Sequence, residues 1–314
     1  MRVLKMWLVG ILAVMILAAC GNSTTGNGEQ NNASSNNKEA NSVTEAEEQD
    51  NKENQSMMAD EVLQKSMEAM AALNSYSMEM TSEQEITMEG EEPINMVTST
   101  KTDMTLDPVA MYQVNSMEDA ESMMEGMETE SYFTAEGFFI FDQMAGQWFK
   151  MPDEFASELN SLSDMQTNPA QQLEMLKGYS DEMKLTEEGD VYILNFSGSG
   201  EQYNEMISMF GSMMGEEMGG MMEEMMSMMS INQLDYELHI DKKTFYQTKI
   251  VMMMDMEMDI EGEKVTSIQN MNSTLSNFDE VGDITIPQEV LDTAEEISLE
   301  DMQQMENTNQ DGGV

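Results

Sequence analysis

Residues 234–260 read "LDYELHIDKKTFYQTKIVMMMDMEMDI". In the first part, Leu234, Tyr236, Leu238 and Ile240 alternate with Asp235, Glu237, His239 and Asp241. In the second, Met252, Met254, Met256, Met258 and Ile260 alternate with Asp255, Glu257 and Asp259. Successive side chains of a strand point to opposite faces, so a period of two predicts two strands, each with an apolar and a polar face. The expected strands cover 231–240 and 244–260, bracketing "DKK" at Asp241 to Lys243. The class of the fold then depends on how far this rule extends along the chain.

It extends in both directions. A further strand fits 264–278, and a hairpin fits 182–197 with its turn at Gly189-Asp190. Upstream, Met78, Met80, Ile86 and Met88 share one parity, and Glu79, Glu83 and Glu85 the other. "EGEEP" at Glu89 to Pro93 reads as a turn; alternation resumes over Ile94 to Leu106, breaks at Asp107-Pro108 and returns from Val109. Shorter strands fit 129–135, 138–143 and 147–151, separated near Glu136-Gly137 and Ala145-Gly146. Short turns between such runs specify an antiparallel meander.

Helices interrupt the strands. Residues 59–74 place Val62, Leu63, Met67, Met70 and Leu73 on one helical stripe, with Asp60 positioned as N-cap. Two more helices fit 153–162 and 169–178, Pro152 and Pro169 lying near their starts. The order of elements predicts an α+β fold with helices gathered on one face of an antiparallel sheet.

The ends have a different character. Arg2 and Lys5 precede the apolar run "MWLVGILAVMILAA", which is shorter than the roughly 20 residues that span a bilayer comfortably. "LAAC" at Leu17 to Cys20 resembles the lipobox of bacterial lipoproteins, which implies cleavage before Cys20 and diacylglycerol on its sulfur. Residues 21–56 hold Val43 as their one large aliphatic side chain and are expected to stay an unfolded tether. The expected organisation is a signal peptide at 1–19, a lipidated cysteine and tether at 20–58, a ligand-binding domain at 59–300 and a frayed tail at 301–314. A long Asn/Ser/Glu tether with Gly21 after the cysteine resembles Gram-positive lipoproteins, which places the domain outside the cell membrane, anchored through Cys20.

Charge and cysteine usage narrow the function. After removal of Arg2 and Lys5, 11 basic residues, all lysine, face 61 acidic ones. So anionic a surface repels phosphate backbones, which excludes nucleic acid as a partner. Cys20 is the single cysteine, so neither disulfides nor thiolate metal sites are available. No GxSxG elbow, P-loop, dinucleotide fingerprint or HExxH is present, and the S-x-x-K match at Ser35 to Lys38 falls in the tether. His239 shares the polar face with Asp235 and Glu237 and is expected to point into solvent. The ladder Asp255, Glu257, Asp259, Glu261 and Glu263 offers oxygens to calcium but lacks EF-hand spacing, so it reads as a solvated strand face. The sequence therefore points to a protein that is not an enzyme and carries no cofactor.

Methionine is the remaining signal, at 41 residues. Thioethers suit Cu(I), yet the same residue fills strand and helix positions wherever a large apolar side chain is expected. Its densest tract is "MFGSMMGEEMGGMMEEMMSMM" at 209–229. On a helical projection Glu205, Ser212, Glu216, Glu223 and Ser227 fall within about 60°. Phe210, Met213, Met214, Met218, Met221, Met222 and Met225 cover most of the opposite side. An amphipathic helix results, weakened at Gly219-Gly220, where a hinge is expected. Methionine faces repack around varied partners, so these seven apolar residues are the candidate ligand-binding set.

Several of these segments together resemble a known superfamily. The lipobox, tether and short helix before a long first strand, with "GQWFKMP" at 146–152, "LHIDKKTFYQTKI" at 238–250 and "NFDEVGDITIP" at 277–287, resemble the lipid carriers that include LolA, LolB, LppX and LprG. The resemblance implies a curved, half-open antiparallel sheet covered by helices, with an apolar cavity holding lipid or acyl chains. An arginine that helps gate the cavity in some members has no counterpart here. The expected function is a membrane-anchored module binding a lipid, acyl chain or apolar peptide. The alternatives are a Cu(I) lipoprotein, with Met213, Met214, Met221, Met222 and Met225 as ligands, and a surface structural protein without a small ligand.

Overall fold

The computed structural model describes residues 57–119, 127–143, 145–153, 169–177, 180–198, 229–260 and 263–298. Their dominant feature is one 12-stranded sheet. The strands are β1 (Ser75–Met88), β2 (Ile94–Leu106), β3 (Val109–Asp119), β4 (Met127–Thr134), β5 (Gly137–Asp142), β6 (Gln147–Lys150), β7 (Lys184–Glu188), β8 (Val191–Gly198), β9 (Met229–Asp241), β10 (Gln247–Ile260), β11 (Glu263–Ser276) and β12 (Glu295–Glu296). Three α-helices accompany them: α1 (Ala59–Ala71), α2 (Pro169–Lys177) and α3 (Gln288–Thr293).

Strand order is β12-β6-β5-β4-β3-β2-β1-β11-β10-β9-β8-β7. Two meanders, β1 to β6 and β7 to β11, are therefore joined edge to edge by the pairing of β1 with β11. All neighbours are antiparallel except β12, which runs parallel to β6. The sheet is curved and does not close into a barrel, since β7 and β12 are its two edges.

Turn chemistry fixes the hairpins. Leu106 pairs with Val109 across Asp107-Pro108, and Glu188 pairs with Val191 across Gly189-Asp190, where Gly189 takes a positive φ of 55° that residues with a Cβ rarely adopt. Between β9 and β10 the Asp241 carboxylate accepts from the Lys243 N–H (2.9 Å), the Thr244 N–H (2.8 Å) and the Thr244 hydroxyl (3.0 Å). Phe245 follows at φ 58°. This turn occupies residues expected at the start of the second strand, so β10 begins at Gln247.

The Thr244 N–H, with help from the Lys243 N–H and the Thr244 hydroxyl, holds the Asp241 carboxyl below the usual range, against an opposing push from burial. Its folded value lies below its unfolded one, so the stabilisation is complete above about pH 4 and is lost as pH falls through the folded value. Asp241→Asn is therefore expected to be less stable than the parent chain at pH 7, with the gap closing on acidification to about pH 2.5. Urea midpoints at the two values check this; a gap that does not change would refute the charge contribution.

The helix ends depart from the sequence reading. Met58, with extended φ −87° and ψ 158°, occupies the N-cap of α1 without a side-chain cap bond. Asp60 is not the cap but lies in the first turn beside Glu61, where a carboxylate favours the positive end of the helix dipole. The helix stops at Ala71 rather than at 74 because the sheet claims the next residues. Leu106 N–H donates to the Asn74 carbonyl (2.8 Å), while Asn74 N–H (2.6 Å) and its side-chain amide (3.1 Å) donate to Asp279 Oδ1. Asp279 N–H returns a bond to the Ser75 carbonyl (2.9 Å), and Val281 N–H to Ser75 Oγ (3.2 Å). This latch and the positive φ of Asn277 (52°) end β11 at Ser276, short of the expected 278. Of the helix expected at 153–162 only Asp153 is described, and α2 forms as expected with Pro169 as its first residue.

Helices do not all share one face. Val62, Leu63 and Met70 of α1 and Leu173 of α2 join Leu194, Leu238, Ile240 and Leu275 in the main core, on what we call the inner face. Helix α3 packs on the other side. There Ile286 and Val290 bury Phe139, with Tyr132 and Trp148 alongside, all on the opposite parity to Phe133 and Phe138. The expectation of helices gathered on one face is thus corrected: short apolar runs such as Ile286 to Leu291 carry too little pattern to reveal which side they cover.

Candidate functional site

The inner face of the sheet is built by the alternation that opened the sequence. Leu238 stands between Leu194 of β8 and Ile250 of β10, and Leu234 between Gly198 and Met254. Leu234, Leu238, Ile240, Met254 and Met256 are all buried, whereas the opposite parity carries Asp235, Glu237 and Asp255. A register shift between Asp255 and Met256 on β10 realigns β9 so that Ile231 faces Met256 and the apolar row continues past it. The β8 to β10 half of the inner face is therefore apolar apart from its end at Gln247, which is buried and pairs with Ile240.

The other half is different. On β1, Met80 pairs with Thr100 of β2 and Ser273 of β11, and Gln84 pairs with Met96 and Gln269. Thr100 in turn pairs with Asn115 of β3, and Thr102 with Gln113. Gln84, Thr100, Thr102, Ser267, Gln269 and Ser273 are buried, so a band of uncharged polar side chains crosses the inner face at β11, β1, β2 and β3. Within it, Gln84 Nε2 donates to Ser267 Oγ (2.9 Å), Gln269 Nε2 to Ser82 Oγ (3.0 Å), Thr100 Oγ1 to Asn115 Oδ1 (2.8 Å) and Gln113 Nε2 to Thr102 Oγ1 (3.2 Å). Apolar clusters flank the band: Ile86, Met88, Met258 and Val265 at one end, Tyr76 and Met104 at the other. Among the described residues, Gln269 Oε1, Ser273 Oγ, Ser66 Oγ and Gln247 Oε1 are buried without a partner.

The band was absent from the sequence reading, although a signal existed. Ser82 and Gln84 occupy the same parity as Met80 and Ile86, so polar residues sat on the face identified as apolar. Burial also raises the phenol pKa values of Tyr76 and Tyr236, which keeps both neutral on this face.

The expected site residues stand as follows. Phe210, Met213, Met214, Met218, Met221, Met222 and Met225, the hinge Gly219-Gly220, the lipidation residue Cys20 and the Ser35 to Lys38 match all lie outside the described residues. His239 sits on the polar face but is partly buried, its Nε2 2.5 Å from Glu237 Oε1. On the acidic ladder, Asp255 accepts from Asn232 (3.0 Å) and Glu257 from Lys264 (2.6 Å). Among the described residues no group of three or more His, Cys, Asp or Glu side chains is placed to hold a metal ion. No described helix is long and apolar enough to cross a membrane.

Several solved structures are similar to this chain. A DUF1329 family protein from Desulfovibrio piger is 9% identical, with 72% of this chain and 93% of that one covered at a TM-score of 0.25. A LolA superfamily protein from Nitrosomonas europaea is 8% identical over 75% of this chain and 97% of its own, at 0.24. An outer membrane lipoprotein-sorting protein domain from Vibrio parahaemolyticus is 7% identical over 68% and 89%, at 0.26. No curated protein matches. Residues 58–295, from the start of α1 to the first residue of β12, match one family throughout, and the chain belongs to it: the family of unknown function DUF6612.

Proposed function

We propose that this chain is a lipid-anchored, extracytoplasmic, non-enzymatic module that binds an apolar ligand, a lipid, acyl chain or apolar peptide, between the sheet and the helices covering it. Residues 59–300 form the binding unit, 20–58 the tether, and Cys20 the anchor. We assign the ligand contacts of this reading to Phe210, Met213, Met214, Met218, Met221, Met222 and Met225, which lie outside the described residues.

The observation that supports this most is the lining of the inner face. Met78 and Met80 of β1, Met104 of β2, and Met252, Met254, Met256 and Met258 of β10 fall on one side of the sheet, while the acidic residues of β1 and β10 fall on the other. Methionine is unbranched and polarizable, so such a wall fits apolar partners of differing shape at little strain. A core that only had to close would gain more from stiffer Leu, Ile and Val side chains.

The test uses the full chain purified from its membrane fraction. Native mass spectrometry is expected to show a retained lipid, and acyl ligands are expected to raise the melting temperature. Absence of both would reject the reading. In the same cells, radiolabelled fatty acid is expected to mark the parent chain and not Cys20→Ser; labelling of both would reject the anchor.

A further inference from the structure

We propose that the polar band of the inner face holds the head of an uncharged amphiphile that donates hydrogen bonds, with the ligand's chain lying on the adjoining methionine-rich half. This rests on the reading that the inner face binds an apolar ligand, and adds the chemistry of its polar end.

Two atoms define the requirement. Gln269 is 7% exposed and Ser273 2% exposed, and neither Gln269 Oε1 nor Ser273 Oγ has a partner. A buried acceptor left without a donor costs about 1–3 kcal/mol, and native folds rarely carry such a cost without a use. Both residues lie on β11 with their side chains on the inner parity, opposite Gln84 and Met80 of β1. Gln269 spends one amide N–H on Ser82, and Gln84 one of its own on Ser267. The atom of Gln269 left wholly without a partner is its acceptor, Oε1. It calls for a hydroxyl or N–H on the ligand, which Ser273 can also meet because a hydroxyl both donates and accepts.

Charge excludes other heads. Across β1, β2, β10 and the 265–275 part of β11, the inner parity carries no Asp, Glu, Lys or Arg, since Glu79, Glu83, Lys101, Asp255 and Glu257 all take the outer parity. A phosphate or carboxylate brought to this band would be buried without a counter-charge, which costs far more than a hydrogen bond returns. An ester without a hydroxyl would leave Gln269 Oε1 as it stands. The geometry also sets the direction of the chain. From Ser273 the same register row continues through Ile250 to Leu238, and from Gln269 through Met254 to Leu234, so an acyl chain can run from the band across β10 and β9.

Three probes with one acyl chain separate these cases: monoolein (uncharged, two hydroxyls), methyl oleate (uncharged, no donor) and oleate (charged). Each is incubated with the full chain in detergent and read by native mass spectrometry. Monoolein is expected to bind about tenfold more tightly than either competitor, the ratio that one to two satisfied hydrogen bonds provide. Gln269→Leu, which keeps the bulk but removes the acceptor, is expected to lower monoolein to the level of methyl oleate and to leave methyl oleate unchanged. Ser273→Ala, a deletion of one atom, is the second variant and is expected to lose part of the same preference with an unaltered melt. Equal binding of all three probes would overturn the head-group assignment while sustaining an apolar site. Tighter binding of oleate, or a preference intact in both variants, would also overturn it. If none of the three binds, the underlying reading of an apolar site fails as well.

Discussion

Leu238→Ala is expected to lower the stability of the chain by about 3 kcal/mol, seen as a shift of the urea midpoint with little change of slope. Leu238 is fully buried and stands at the centre of the main core, where both meanders and two helices meet. In register it touches the rows of Leu194 and Ile250, while Leu63 and Val62 of α1 belong to the same cluster. Removing its three terminal carbons loses their transfer free energy and leaves a cavity that a sheet on one side and a helix on the other cannot both collapse to fill. Leu238→Met, which roughly conserves volume, is expected to cost under about 1.5 kcal/mol. Equal losses from the two substitutions would mean that this position is not limited by packing, and the account of the core would be wrong.

Phe139→Ala should cost a comparable amount, about 3–5 kcal/mol at its own site, but spend it in a different place. Phe139 is 3% exposed and belongs to a small cluster on the outer face with Ile286 and Val290, separate from the main core. Helix α3 has six residues and cannot persist on its own. Without Phe139 to cover, it should detach together with β12, which hangs on β6 through the Ile297 N–H to the Lys150 carbonyl (3.0 Å). Hydrogen exchange is expected to show loss of protection at Leu291 and Ala294, whose N–H groups bond Pro287 and Val290, while amides of β9 to β11 keep theirs. Uniform loss across the whole sheet would show instead that the two clusters unfold as one.

Much of the sheet was legible because the chain marks its strands twice. Met78, Met80, Ile86 and Met88 stand against Glu79, Glu83 and Glu85, and the breaks at Asp107-Pro108 and Gly189-Asp190 locate hairpin turns to the residue. Both are local signals that survive without tertiary context. Pairing between β1 and β11 left no such mark, because register between distant strands depends on which faces meet and not on either sequence alone. The polar band was missed for a related reason. Ser82, Gln84, Ser267 and Gln269 break the alternation of their own strands and look like imperfections until the register sets them side by side. Asp60 has the chemistry of a cap, but the helix begins one residue before it.

The β1–β11 junction also bears on how the chain can be made. Gln84 and Ser267, bonded in the finished sheet, are 183 residues apart. A chain that emerges from its N-terminus can assemble the β1 to β6 meander early, but one flank of β1 stays bare until residue 276 has followed. Its row of open N–H and C=O groups is, for that interval, a template for any other strand. Closure of so long a loop comes late and slowly. The outward glutamates Glu79, Glu83 and Glu85 along that strand then act as guards of the nascent edge, repelling a second copy of the same acidic chain until β11 arrives to seal it.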